Sequence, residues 1–204
     1  MSTEHGMARE LARITDAGAD DLDALHARLA AAAQHEGILD IAYRVVDSPV
    51  GALLIAATEH GLVRVAYPSE GHDTVLQRLA DRISPRILHA PARLDRTARQ
   101  LDEYFAAKRQ EFSVPLDWRL SAGFRNTVLR RLPEIGYGHT ASYAAVARLA
   151  GNPNAVRAVG SACATNPLPV VVPCHRVVRS DGAPGGYLGG VEAKRILLAL
   201  EAAA

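Results

Sequence analysis

One stretch limits this chain more than any other. From Ala158 to His175 there is no charged side chain, yet Asn166, Pro167, Pro169 and Pro173 interrupt the run. Proline fixes φ and removes a backbone donor, so the run is neither one continuous helix nor a membrane span. It divides instead into the end of a short helix, a proline-stiffened turn and an apolar piece, Val170-Val171-Val172, with the signature of a buried strand. The most apolar part of the chain thus ends on Pro173-Cys174-His175-Arg176, where a thiol, an imidazole and a guanidinium follow one another.

The rest of the chain organises around this segment. With 204 residues and 49% hydrophobic content it can bury a sizeable core, as one large or two small domains. Residues 1–37 read as an Ala-rich helical extension, with Leu22, Leu25 and Leu29 on one face and Gly37 as a stop. Residues 38–118 read as an α+β domain. Alternation at Ile41, Tyr43 and Val45, then Leu53-Leu54-Ile55, then Leu62, Val63 and Val65, broken by turn residues, predicts a three-stranded antiparallel meander. Helices over 74–83, with Asp73 as N-cap, and over 92–107 follow it. Residues 119–204 read as mainly helical, with helices over 121–132 from Ser121, 142–150 from Ser142, and 191–202. Asn152-Pro153 supplies an N-cap and a first-turn proline for a helix running to Ala164, making 142–164 helix, tight turn, helix. That spacing is met equally by a DNA-binding helix-turn-helix and by an ordinary helical hairpin.

Charge separates the two parts. The net charge is +1. Residues 119–204 hold 10 Lys+Arg against 4 Asp+Glu, or +6, while residues 1–118 hold 13 against 18, or −5. A basic second part suits a polyanionic partner, although a solvated basic face would show the same count. In the second helix of the pair, Ala155, Ala158, Gly160 and Ser161 offer little bulk, and Arg157 is the one long polar side chain among them. Such a surface suits a minor groove, with one protruding wedge, and it equally suits close packing inside a domain.

Two cysteines, Cys163 and Cys174, are too few for a disulfide framework or a Cys-rich zinc site. The eight histidines show no metal-ligand spacing. The acidic first thirty residues do not read as a secretory signal, so a reducing, cytoplasmic setting is expected. The loop from Gly182 to Gly190, with Tyr187 inside it, lacks the Lys-Ser/Thr ending of a phosphate-binding loop. A cysteine becomes nucleophilic as thiolate, and a nearby imidazole or cation promotes that form. On the Cys-His-Arg sequence alone, a reactive thiol and a buried structural cysteine are both available readings.

A longer pattern separates them. Asn166 to Val178, Asn-Pro-Leu-Pro-Val-Val-Val-Pro-Cys-His-Arg-Val-Val, strongly resembles the signature of the O6-alkylguanine-DNA alkyltransferases. Ser142-Tyr143, Ala150-Gly151-Asn152-Pro153 and Val156 to Gly160 resemble that family's helix-turn-helix, and Gly186-Tyr187-Leu188-Gly189-Gly190 its active-site loop. The resemblance is close over 121–201 and looser over 38–118. It implies an α+β fold, with a ribonuclease H-like N-terminal sheet domain and a winged-helix-like C-terminal domain. It also implies repair of double-stranded DNA by irreversible, once-only transfer of an alkyl group from O6-alkylguanine to Cys174, with O4-alkylthymine as a further substrate.

By the same resemblance the relay runs from Glu201 to His175, through a water, to Cys174, with Asn166 bracing the cysteine turn. Tyr143 helps turn the nucleotide out and contacts the guanine. Arg157 fills the vacated space, with Ala155, Ala158, Gly160 and Ser161 against the minor groove. Pro169, Val177, Tyr187 and Leu188 line the base pocket. No cofactor and no metal are implied, a monomer is the default expectation, and no membrane is expected to be involved. Three alternatives remain: an alkylguanine sensor without catalysis, which would carry Trp in place of Cys174; a Cys-His hydrolase; and a sequence-specific DNA-binding regulator, disfavoured because the small-residue helix has few base-reading side chains.

Overall fold

The computed structural model describes residue 22 and residues 24–203. The first helix, α1 over residues 24–35, leads through Gly37 (φ 68°) into the sheet, with Leu22, Leu25 and Leu29 exposed. Other parts of the expected 1–37 extension lie outside the described residues.

Strands β1 (Ile41–Val46), β2 (Leu53–Thr58) and β3 (Gly61–Ala66) form the antiparallel meander that the alternation requires. The middle strand is buried along its whole length, and the period of two sorts its side chains. Leu54 and Ala56 join Ile41, Val63, Val75 and Leu79 on one face, whereas Leu53, Ile55 and Ala57 face the main core. A fourth strand, β4 (Ile87–His89), pairs in parallel with β1, so the sheet order is β3-β2-β1-β4 rather than a bare meander. Three residues between Pro85 and Pro91 carry too little periodicity to announce a strand.

Helix α2 (His72–Arg82) covers the Leu54 face. Its N-cap is Gly71, without a side-chain cap, and Asp73 lies in the first turn instead. A 3-10 turn (Pro91–Leu94) then precedes α3 (Asp95–Phe105), so the expected 92–107 helix is shorter and begins differently.

In the second half, α4 (Gly123–Arg131) starts after Ala122 rather than at Ser121 and runs into a 3-10 turn at Leu132–Glu134. A two-residue strand β5 (Ala141–Ser142) pairs in parallel with β6 (Val177–Val178). Helix α5 (Tyr143–Leu149) follows, and its N-cap Ser142 accepts from the Ala145 amide at 3.1 Å. Helix α6 (Val156–Ala164) begins three residues later than the Asn152-Pro153 reading places it, because that dipeptide closes the inter-helix turn, with Asn152 N–H donating back to Ala147. Val170-Val171-Val172 is buried but not a strand. It is a tight turn, with Val170 in the left-handed region at φ 71°. That conformation is strained for a β-branched residue and is held by its surroundings. The chain closes on α7 (Gly190–Ala202).

One continuous apolar cluster joins the halves, from Leu53 and Leu101 to Leu129 and Leu197. The outer edge of the sheet, β3, is covered by the second half and by the segment that leads to it. Val65 N–H donates to the Pro167 carbonyl at 2.9 Å, and Leu62 exchanges backbone bonds with Pro115 and Asp117. No helix among the described residues is long and apolar enough to cross a membrane.

Candidate active site

The β5–β6 pairing ties the start of α5, and so Tyr143, to the residues just after Cys174. Cys174 opens a 3-10 turn, Cys174–Arg176, and is only 2% exposed. Asn166 fastens this turn from below. Its Nδ2 donates to the Val172 carbonyl at 2.9 Å and to Cys174 Sγ at 3.1 Å, while its Oδ1 accepts from Leu168 N–H at 3.0 Å. Burial pushes the Cys174 thiol up to about 11, against the Asn166 hydrogen bond and the Lys194 charge, which favour thiolate.

His175 is fully buried, and its Nε2 lies 2.8 Å from Glu201 Oε1. Burial holds its pKa below the ordinary histidine value, outweighing the Glu201 carboxylate, and Arg176 and Lys194 add to the depression. The imidazole is therefore neutral at pH 7. Glu201 also accepts from Tyr104 Oη at 2.7 Å, from Arg176 Nε and Nη2 at 2.9 Å each, and from Gly138 N–H at 3.2 Å. Burial alone would raise this carboxyl, but the bonds from His175, Arg176 and Tyr104 bring it down to about 2. With Glu201 ionised, Nε2 of the neutral ring carries the proton and donates. Nδ1 is then the free acceptor, and it is buried without a protein partner among the described residues.

Arg176 is thus not a cation for the thiol, as the Cys-His-Arg sequence suggests. Its guanidinium grips Glu201 with two nitrogens and the Ile135 carbonyl with a third. The cation that acts on Cys174 is Lys194, fully buried on α7, donating to the carbonyls of Val177 (2.6 Å) and Pro184. Tyr104, Arg176 and Lys194 were not legible as site residues, because their partners lie 97, 25 and 17 positions away.

A cavity of about 490 Å³ lies between α5, α6 and the glycine loop, lined by Tyr143, Gly160, Cys163, Ala164, Tyr187 and Leu188. Of the residues expected at the guanine base, Tyr143, Tyr187 and Leu188 line this one cavity, and Gly160, expected against the minor groove, lines it too. Pro169 and Val177 are buried and are not among its walls, whereas Cys163 is. The Tyr187 hydroxyl pairs with Tyr67 of the first half at 2.9 Å, and Tyr67 packs so close to Gly189 that a Cβ there would lie 2.5 Å from the ring. On α6, Arg157, Ala158 and Ser161 are exposed, and Ala155 and Gly160 are half-buried beside them.

The sequence matches two family models end to end. Residues 41–118 match the ribonuclease-like domain of 6-O-methylguanine DNA methyltransferase, and residues 123–203 match its DNA-binding domain. The chain belongs to the 6-O-methylguanine DNA methyltransferase family. It is 40% identical over 161 residues to the methylated-DNA–protein-cysteine methyltransferase of Mycolicibacterium paratuberculosis, covering 79% of this chain and 92% of that one. It is 38% identical to the constitutive enzyme of that name from Bacillus subtilis, covering 78% and 94%. The crystal structure of Mycobacterium tuberculosis OGT in complex with DNA superposes with a TM-score of 0.67 at 36% identity, covering 79% of this chain and 93% of that one.

Proposed function

We propose that this protein repairs duplex DNA by moving the alkyl group of O6-alkylguanine onto Cys174, once per molecule. The observation that carries the reading is the order of groups behind the thiol. Glu201 fixes the Nε2 proton of His175, and the acceptor nitrogen Nδ1 is left without a protein partner in the residue next to Cys174. A carboxylate that sets the tautomer of a base and supports its positive charge is the logic of activated nucleophiles.

In this mechanism the Cys174 proton passes to His175 Nδ1 through a bridging water. The thiolate attacks the alkyl carbon, a C–S bond forms, and the C–O6 bond breaks with its electron pair going to the guanine. The guanine takes up one proton as it leaves, which balances the proton lost by the thiol. Asn166, already bonded to Sγ, and Lys194 favour the anion as it develops. The product thioether is stable, so the protein is consumed.

The O6 atom of a paired guanine is enclosed by the duplex, so the nucleotide has to leave the stack, and a poorly paired base leaves more readily. The exposed small residues of α6 fit a minor groove, Arg157 occupies the space left in the stack, and the cavity beside Tyr143 receives the base. Removal of alkyl groups from O4-alkylthymine and a monomeric state belong to the same proposal.

Intact mass spectrometry after incubation with an O6-methylguanine duplex tests it. One added methyl per wild-type molecule and none on Cys174→Ser is the expected result. Repeated turnover, or a label that survives Cys174→Ser, defeats the reading.

A further inference from the structure

A second cleft, of about 310 Å³, opens between the two halves of the molecule, and its character differs from that of the cavity beside Tyr143. Arg64 of β3, Arg78 and Arg82 of α2 and Arg125 of α4 line it, with Glu70 as its one carboxylate, over an apolar floor that includes Val75 and Leu79. Three of these arginines belong to the half of the chain that is acidic overall, so the cluster runs against its own background.

Glu70 is committed to Arg64, and Arg64 reaches on to the Asn166 carbonyl at 3.4 Å. Arg125 donates to the Leu120 carbonyl at 2.6 Å. Among the described residues no carboxylate pairs with Arg78, Arg82 or Arg125. Arg78 and Arg82 stand one turn apart on the same face of α2, a like-charge pairing that opposes the helix unless an anion sits between them. Burial lowers the pKa of Arg64 against the opposing pull of Glu70, and the charge of Arg78 lowers it further. Planar guanidinium forks over a low-dielectric floor are the donors that match phosphate oxygens.

Position says which phosphate. The cleft and the cavity beside Tyr143 share two walls, Ala164 and Leu188. A nucleotide seated in the cavity would bring its flanking phosphates toward that shared rim.

We propose that this inter-half cleft holds a backbone phosphate of the DNA strand whose nucleotide enters the cavity, so that α2 of the first half contributes to the DNA interface. The inference rests on the proposed function, and its test is separable from it. Equilibrium binding to an O6-methylguanine duplex is measured against salt concentration in a Cys174→Ser background, where no transfer intervenes. The pair Arg78→Glu with Arg82→Glu is compared with Arg28→Glu with Arg99→Glu, which makes the same charge change at exposed positions outside the cleft.

Each phosphate contact adds about 0.9 to the log–log salt slope, so the cleft pair is expected to flatten the slope by about 2 and to weaken binding about tenfold or more. The control pair should leave the slope in place. Transfer from free O6-methylguanine base to Cys174, measured with the cysteine restored, should be unchanged by the cleft pair. Identical slopes for the two pairs overturn the proposal. So does thermal stabilisation by inorganic phosphate or a mononucleotide that is lost in the cleft pair while the duplex slope stays put, because the site would then take a free phosphate. Failure of methyl transfer in the wild type would sink the repair reading and leave the binding contrast intact.

Discussion

Glu201 shows how a single carboxylate can organise a site. Five protein bonds converge on its two oxygens, from His175, Tyr104, Arg176 and Gly138, and Arg176 supplies two of them. Removing its charge strands a buried guanidinium, which costs about 3–5 kcal/mol. Glu201→Gln is therefore expected to lose that much stability in urea at pH 7. The pH dependence follows from the signs. A carboxyl held at about 2 when folded gives stability that is present above its ordinary value near 4.5 and lost as pH falls from there toward 2. His175, depressed by burial, adds a loss that begins as pH falls below its ordinary value of 6.5, because only the unfolded state takes up that proton readily. Acid titration of the wild type should thus decline in both ranges, whereas Glu201→Gln should be flatter between pH 4.5 and 2. A parallel pair of curves would refute the ionised network. Tyr104→Phe removes one neutral donor to this carboxylate and is expected to cost about 1–2 kcal/mol, with slower methyl transfer than wild type. A rate equal to wild type would take Tyr104 out of the relay's support.

At the scale of elements, α5 places Tyr143 at the cavity and α6 presents Arg157 to solvent. Ser142 both ends β5 and caps α5, so it fixes where Tyr143 enters the cavity. Ser142→Ala should lower stability by about 1 kcal/mol in thermal or urea unfolding, and no change would mean the cap is made up elsewhere. Arg157 is exposed on α6. Arg157→Ala is expected to leave stability within about 0.5 kcal/mol of wild type. It should slow transfer from duplex DNA by tenfold or more and leave transfer from free base unchanged, and equal losses on both substrates would remove it from base extrusion. The boundaries of these helices were legible where a side chain does the capping, as at Ser142, and misread where backbone geometry decides, as at Asn152-Pro153. Local propensity names the residues that start helices, but the turn between α5 and α6 is closed by a backbone bond from Asn152 N–H to the Ala147 carbonyl.

For the whole molecule, the junction between the halves matters most, since Tyr67 of the first half holds Tyr187 and leans on Gly189 of the second. Gly189→Ala puts a methyl group 2.5 Å from the Tyr67 ring, and overpacking of this kind costs about 1–3 kcal/mol. It should lower the melting temperature and the transfer rate together, and Tyr67→Leu should recover part of both. If Gly189→Ala leaves both unchanged, the contact is slack. By itself the sequence determined the alternation that makes the β1–β3 meander, the small-residue face of α6, and the segment from Asn166 to Val178 with Cys174 at its centre. These are local patterns, written in neighbouring residues of period 2 or 3.6 or in one contiguous motif. Tertiary structure alone decided that Arg176 pairs with Glu201, that Lys194 is buried on the carbonyls of Val177 and Pro184, that Val170 turns instead of extending, and that Tyr104 bonds Glu201 across 97 residues. The reason is physical. A buried charge has to find its partners in three dimensions, and nothing in the spacing along the chain says which partners will be there.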